Sequence, residues 1–229
     1  SDDKGEGEWS AGYSVTLWMG PAAADIGTGT NSAQGTVELM EAYIDLNVAG
    51  SIELKVGQFG TVVGYESYDQ GVNDEGENVN TFYNRGYGFA VEPTHHTGIL
   101  AGYQVNDDIA IQAGIANDTQ SAVTNHSADD GAVGYLLSAE YAPDGGMFGL
   151  EGMELNAAAV LDMGADGSER DSYYAALDLP TAMIAPDLTA ALAADWVDDD
   201  NIGLDTIGLD TIGLDTIGID LVAMSINDL

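Results

Sequence analysis

Along most of the chain, apolar and polar side chains alternate one for one. In SIELKVGQFG, residues 51–60, Ile52, Leu54 and Val56 fall on one face, and Glu53, Lys55 and Gly57 on the other, because successive strand side chains point to opposite sides. Trp9, Ala11, Tyr13, Val15, Leu17 and Met19 likewise oppose Ser10, Gly12, Ser14 and Thr16. Met40, Ala42, Ile44, Leu46 and Val48 oppose Glu41, Tyr43, Asp45 and Asn47, and VAGSI joins this strand to the next as a hairpin. A second hairpin turns at Asn106, Asp107 and Asp108, with Ile109, Ile111, Ala113 and Ile115 set against Ala110, Gln112, Gly114 and Ala116.

The theme recurs through Tyr135–Tyr141, Met153–Met163, Tyr173–Leu179 and Leu188–Trp196, separated by PDGG, GADGSERD and LPTAMIAPD, which carry turn residues. The pattern predicts roughly ten to twelve strands and no long amphipathic helix. The expected fold class is all-β: an antiparallel transmembrane β-barrel, with residues 1–229 as a single domain. The two faces differ in character. One carries Ile, Leu, Val, Met, Trp and Tyr; the other is largely Gly, Ala, Ser, Gln and Asn with scattered carboxylates. A soluble sandwich needs a densely charged outer face, whereas small polar residues suit a wet lumen and a bulky apolar set suits lipid. Aromatics such as Trp9, Tyr103, Tyr141 and Trp196 would sit at the membrane interfaces, or in the core of a soluble sandwich.

Two regions leave the pattern. Residues 64–84 form a long acidic, Gly- and Asn-rich loop, of a length associated with function or disorder, and could fold into the lumen. Residues 201–220 repeat with a period of five. An odd period turns equivalent residues to alternate faces, so the repeat cannot hold Ile or Leu on one side of a pore strand. A solenoid-like turn or a disordered tract are alternatives.

Charge narrows the partners. Four basic residues (Lys4, Lys55, Arg85, Arg170) against 39 acidic ones give a net charge of -35, so no basic patch for nucleic acid can be assembled. Cations and high salt suit such a chain. The absence of cysteine excludes disulfides and thiolate ligands. No basic region followed by an apolar stretch opens the sequence as a signal peptide would. No apolar run is long enough for a membrane helix, but barrel strands need only about 9 to 11 residues.

Three stretches, ELKVGQFGTVVGYES, FYNRGYGF and EPTHHTGILAGYQVNDDIAIQAGIAND, together resemble the OmpL-like β-barrel porins of bacterial outer membranes. In that family a strand ending in a Gly-x-Phe motif leads to Gly-Tyr-Glu, a long loop and a Pro-x-His-x-Gly-like hairpin. The resemblance implies passive diffusion of small hydrophilic solutes, location in the bacterial outer membrane, no catalysis and no cofactor. Membrane lipid, small hydrophilic solutes and cations are the implied partners, with a homo-oligomer left open.

If the polar face is the lumen, Lys55 and Arg85 project into a pore otherwise dominated by Glu41, Asp45, Glu53 and Glu66, and opposed charges of this kind set selectivity. The alternative is that Lys55 and Arg85 pair with neighbouring carboxylates simply to limit repulsion. Gly57, Gly60 and Gly64 would let the chain kink and turn the following loop inward. His95 and His96 are strand neighbours and do not form a metal pair. Acidic stretches at 162–169 and 197–201 could hold Ca²⁺, though neither fits the twelve-residue calcium loop. No nucleophile elbow, phosphate loop or dinucleotide fingerprint is present, and nothing singles out a glycosidase-like pair among 39 acids. A cation-preferring pore is the leading expectation. A soluble or surface-attached acidic β-protein with a structural or adhesive role, Ca²⁺ in its loops, is the alternative.

Overall fold

Pairing each alternating segment with the next gives a single antiparallel meander. The computed structural model describes residues 7–19, 37–64, 92–117, 133–163, 170–180, 190–199, 206–212 and 224–227. Its strands are β1 (Trp9–Met19), β2 (Val37–Val48), β3 (Ile52–Gly60), β4 (His95–Asn106), β5 (Ile109–Ala116), β6 (Gly134–Tyr141), β7 (Leu155–Asp162), β8 (Arg170–Asp178), β9 (Ala191–Asp199), β10 (Thr206–Ile212) and β11 (Met224–Asn227). They form one sheet in chain order, with β1 and β11 at its edges. A short 3₁₀ turn, Met147–Gly149, lies between β6 and β7. No helix among the described residues is long and apolar enough to cross a membrane.

Local chemistry sets the tight turns. Between β2 and β3, Ala49 and Gly50 both have positive φ (53° and 69°), the twist that matches a hairpin's strands. The Gly50 N–H donates to the Glu8 carbonyl at 3.0 Å, tying the turn to the residue before β1. Between β4 and β5, the Asp108 N–H donates to Asn106 Oδ1 at 2.9 Å, the side-chain mimic of a backbone turn. Residues 49–51 and 107–108 thus make short turns at one end of the sheet.

The bulky apolar face is turned outward. Tyr13, Val15, Leu17, Ile44, Val56, Ile99, Tyr103, Ile111, Ile115, Tyr135, Leu137, Leu192 and Trp196 are all exposed, Ile115 by 48%. Their strand neighbours on the other face, including Leu100, Leu136, Val160, Tyr174, Ala176, Ala193 and Val197, are buried. Trp9, Tyr103 and Tyr141 sit on the rungs next to the short-turn end, and Trp196 stacks on Tyr173 at 5.1 Å.

The assignment of Met40 to the outward face fails. Met40 is fully buried because the β1–β2 register slips between Thr16 and Leu17, leaving Met40 without a rung of its own. An extra residue in one strand ends the alternation there. Gln58 Nε2 donates to the carbonyls of Leu39 and Met40 at 3.0 and 2.8 Å, bridging the irregularity from β3.

Within the pentad repeat, the segment Thr206–Ile212 is a strand paired with β9 and β11. Ile207 pairs with Trp196 and Ile212 with Ala191, register positions of opposite parity, as a five-residue period requires.

Candidate pore lining and constriction

The inner face begins with register rows. One runs Gly12, Asp45, Lys55, Leu100, Gly114, Leu136, Val160, Ser172 and Val197 across β1–β9. The next rung toward the short turns runs Ser10, Asn47, Glu53, Gly102, Gln112, Ser138, Ala158, Tyr174 and Asp195. In the second row Asn47 Nδ2 donates to Ser10 Oγ at 3.0 Å and Ser138 Oγ to Gln112 Oε1 at 3.2 Å. The face is therefore polar in bands, with an apolar cluster, Phe59, Val63, Leu100, Leu136, Val160 and Tyr174 among its members, set between them.

Two glycines bend the wall. Gly57 and Gly98 are register partners. A Cβ on Gly57 would lie 2.2 Å from the Ala42 carbonyl oxygen, and one on Gly98 would lie 2.0 Å from that of Ile115. Backbone approach this close needs glycine on both strands, and Gly57 also adopts φ +136°. Tyr43 stands opposite Gly57, against the apolar cluster.

Past Gly60 the chain packs against the inner face. Val63 is buried in the apolar cluster. The Thr61 N–H donates to the Thr94 carbonyl at 3.0 Å, and His96 Nε2 lies 2.9 Å from Thr61 Oγ1. Gly64 has φ +100°, and a side chain there would meet the Glu92 carboxylate. Glu92, Pro93, Thr94, His95 and His96 are all buried. His96 thus serves the seat of this segment.

Four of the six charged residues expected to line a pore lie together on β2 and β3. Asp45 and Lys55 are direct partners, and Glu53 pairs with Asn47. Glu41 Oε1 accepts from the Gly60 N–H at 3.1 Å, so it caps the end of β3. Lys55 Nζ sits 5.2 Å from the centre of the Tyr43 ring, within cation–π range. Glu66 and Arg85 lie outside the described residues, as does most of the 64–84 loop.

A second group was not anticipated. Thr61, Val62 and Gly64 share a cavity of about 460 Å³ with Gln112 on β5, Ser138 and Glu140 on β6, Asn156 on β7, and Tyr174 and Asp178 on β8. The inward segment therefore faces strands well removed from β3 in sheet order. Alternation already placed Glu140 opposite Leu137 and Tyr141; its nearness to residues 61–64 depends on how the sheet curls, which periodicity does not encode. At the short-turn mouth, Glu154 lies beside Asp178 and Glu140. Burial, then the charges of Asp178 and Glu140, raises its carboxyl above the ordinary 4.5. A wider recess there, about 900 Å³, is lined by Asp107, Asp108, Asp144, Glu151 and Glu154 among others.

No curated protein sequence matches the chain. Among solved structures it is similar to OccD3 (OpdP) of Pseudomonas aeruginosa, with a TM-score of 0.33 and 13% identity, over 89% of this chain and 57% of that one. The chain thus spans a little over half the length of that structure. The family model described as "Putative beta-barrel porin-2, OmpL-like" matches residues 3–152. That match covers more than half of the sequence, including β1–β6 and the inward turn after β3, and the chain belongs to the OmpL-like β-barrel porin family.

Proposed function

We propose that the protein is an outer-membrane porin that passes small hydrophilic solutes passively, with a preference for cations, and catalyses no reaction. The observation that carries this reading is the sidedness of the sheet. Exposed Ile, Leu, Val, Tyr and Trp face out, while Asp45, Glu53, Glu140 and Asp178 share the inner face with two described cations, Lys55 and Arg170. A soluble protein would have to present that apolar band to water, against the tendency of soluble chains to avoid large exposed apolar patches. Carboxylates lining a narrow passage concentrate cations and repel anions. Glu41, Asp45, Glu53 and Lys55, with Glu66 and Arg85, are the proposed charged lining. We propose likewise that the chain is a single domain whose loop 64–84 folds into the lumen.

Planar bilayers containing the purified protein, held in a salt gradient, test this directly. The expected reversal potential has the sign of cation preference. Anion preference would overturn the selectivity, and a protein that remains monodisperse without detergent would overturn the barrel's lipid-facing role.

A further inference from the structure

The inner wall of a water-filled channel is wet along its length, yet one band of this inner face is dry. Leu136 and Val160 are 0% exposed, and Phe59, Leu100 and Tyr174 are buried as well. These side chains come from β3, β4, β6, β7 and β8 and form one apolar cluster. A polar rung, with Asn47, Glu53, Gln112 and Ser138, lies toward the short turns. On the side away from them the wall has little bulk of its own: Gly57, Gly98, Ala116 and Gly134 are successive register partners across β3–β6.

Val63 supplies bulk from elsewhere. It is buried in the cluster, and Val62 packs against it. Every other buried member of the cluster lies on a strand; Val63 does not. The β3–β4 ladder closes at Gly60 and His95. Beyond it the Thr61 N–H donates to the Thr94 carbonyl at 3.0 Å, and the Val63 N–H reaches Thr61 Oγ1 at 3.4 Å, long for a bond of this type. A cavity of about 460 Å³ adjoins Thr61, Val62 and Gly64 and faces Gln112, Ser138 and Asn156. The segment therefore has room to leave the cluster without moving a strand, and elements held outside the ladders are the ones that open at low cost.

We infer that residues 61–64 are a gate, with Val63 as its plug: the structure is the closed state, and the pore conducts when Val63 withdraws and water enters the apolar band. Such a band stops ions because they cannot shed their hydration shell in it. The inference rests on the porin reading and adds that the passage is closed at rest.

The test uses the full chain in planar bilayers. Wild-type channels should spend most of the record closed, with brief openings. Val63→Asn should raise the open probability about tenfold, the order set by losing one buried valine's apolar contacts, with the conductance and ion preference of the open state unchanged. Because the chain has no cysteine, V63C gives an independent reading: 2-(trimethylammonio)ethyl methanethiosulfonate should attach far more slowly than to a free thiol and then hold the pore open, since a charge cannot return to the cluster. Wild-type channels that never close overturn the gate and leave the porin reading standing. So does a wild-type open probability in V63N, or a V63C thiol that reacts at the free-thiol rate. Absence of conductance from the wild type, from V63N and from modified V63C, with the heat-modifiable band present, overturns the porin reading and the gate with it.

Discussion

Lys55 stands directly across the β2–β3 ladder from Asp45, with its ammonium 5.2 Å from the centre of the Tyr43 ring. Tyr43 in turn lies opposite Gly57, whose missing side chain lets the backbone of Ala42 and Tyr43 come close. One lysine is thereby placed on the inner wall by a carboxylate, an aromatic face and a glycine.

Lys55→Gln should make the pore more cation-selective, because Asp45 then faces the lumen without an opposing charge. A cross-strand charge pair contributes about 0.2–1 kcal/mol and an exposed cation–π contact about 0.5–1 kcal/mol. Stability should therefore fall by about 1 kcal/mol, read from urea unfolding in detergent, while Lys55→Arg keeps most of it. A reversal potential that moves toward anions would refute this placement of Lys55.

The inner-face glycines should divide sharply on substitution. Gly98→Ala drives a methyl to within 2.0 Å of the Ile115 carbonyl oxygen, whereas at Gly102 the nearest atoms are 3.9 Å away. Overpacking a tight contact typically costs 1–3 kcal/mol, and a backbone partner yields less readily than a side chain. Gly98→Ala should lower the folded fraction seen as a heat-modifiable band on gels, and Gly102→Ala should leave it unchanged. The same loss in both would mean that strand glycines matter here for some reason other than close approach.

The contrast between these glycines shows how far the sequence could be read. Alternation placed Ile111 and Ile115 outward and Gln112 inward correctly, because the side-chain period of a strand is two and nothing in β5 interrupts it. It misplaced Met40, where one extra residue in β2 shifts the register and leaves no trace in hydropathy. Lys55, Asp45 and Glu53 were legible as neighbours since a hairpin fixes their pairing locally. Glu140 and Asp178 were not, because their approach to Thr61 and Gly64 depends on the accumulated bend of several strands. Gly57 and Gly98 report that bend, but a glycine in a strand says only that some backbone comes close, not which.

Neighbouring positions on β5 test the direction of the faces. Ile111 is exposed on the outer side, and Gln112 lines the inner cavity. Ile111→Arg puts a charge against lipid, a change that costs from about 0–1 kcal/mol near the interfaces to about 2–4 kcal/mol at the midplane, and should reduce insertion into liposomes. Gln112→Arg should insert normally and reduce cation preference. If the arginine at 111 is tolerated and the one at 112 blocks insertion, the sheet is inside out.

Glu154 gives a pH dependence with a defined sign. Its carboxyl is raised above 4.5 by burial and by Asp178 and Glu140, so the folded chain holds this proton more tightly than the unfolded chain does. The associated stabilisation is fully present below about pH 4.5 and is lost as pH rises through the higher folded-state value. Glu154→Gln should therefore match the wild type in thermal unfolding near pH 4 and exceed it slightly at neutral pH. A variant that is less stable than the wild type at neutral pH would show that the charge at 154 is favourable.

The seat of the inward segment turns on one hydroxyl. Thr61 Oγ1 accepts from the Val63 N–H at 3.4 Å and lies 2.9 Å from His96 Nε2, and His96 is 1% exposed. If the imidazole is neutral at Nε2, the hydroxyl donates to it while accepting from Val63, using both capacities at once. Thr61→Val keeps the shape and removes both bonds, and polar groups buried after such a loss cost about 1–3 kcal/mol. Because Val63 anchors the segment in the apolar cluster, the loss should act first on that segment rather than on the strands. Open-channel current should become noisier and, on average, larger, with the heat-modifiable band retained, and Thr61→Ser should restore quiet conductance. If Thr61→Val instead unfolds the whole sheet with no change in the current of the surviving channels, the hydroxyl holds the barrel wall and not a constriction, and residues 61–64 are part of the scaffold.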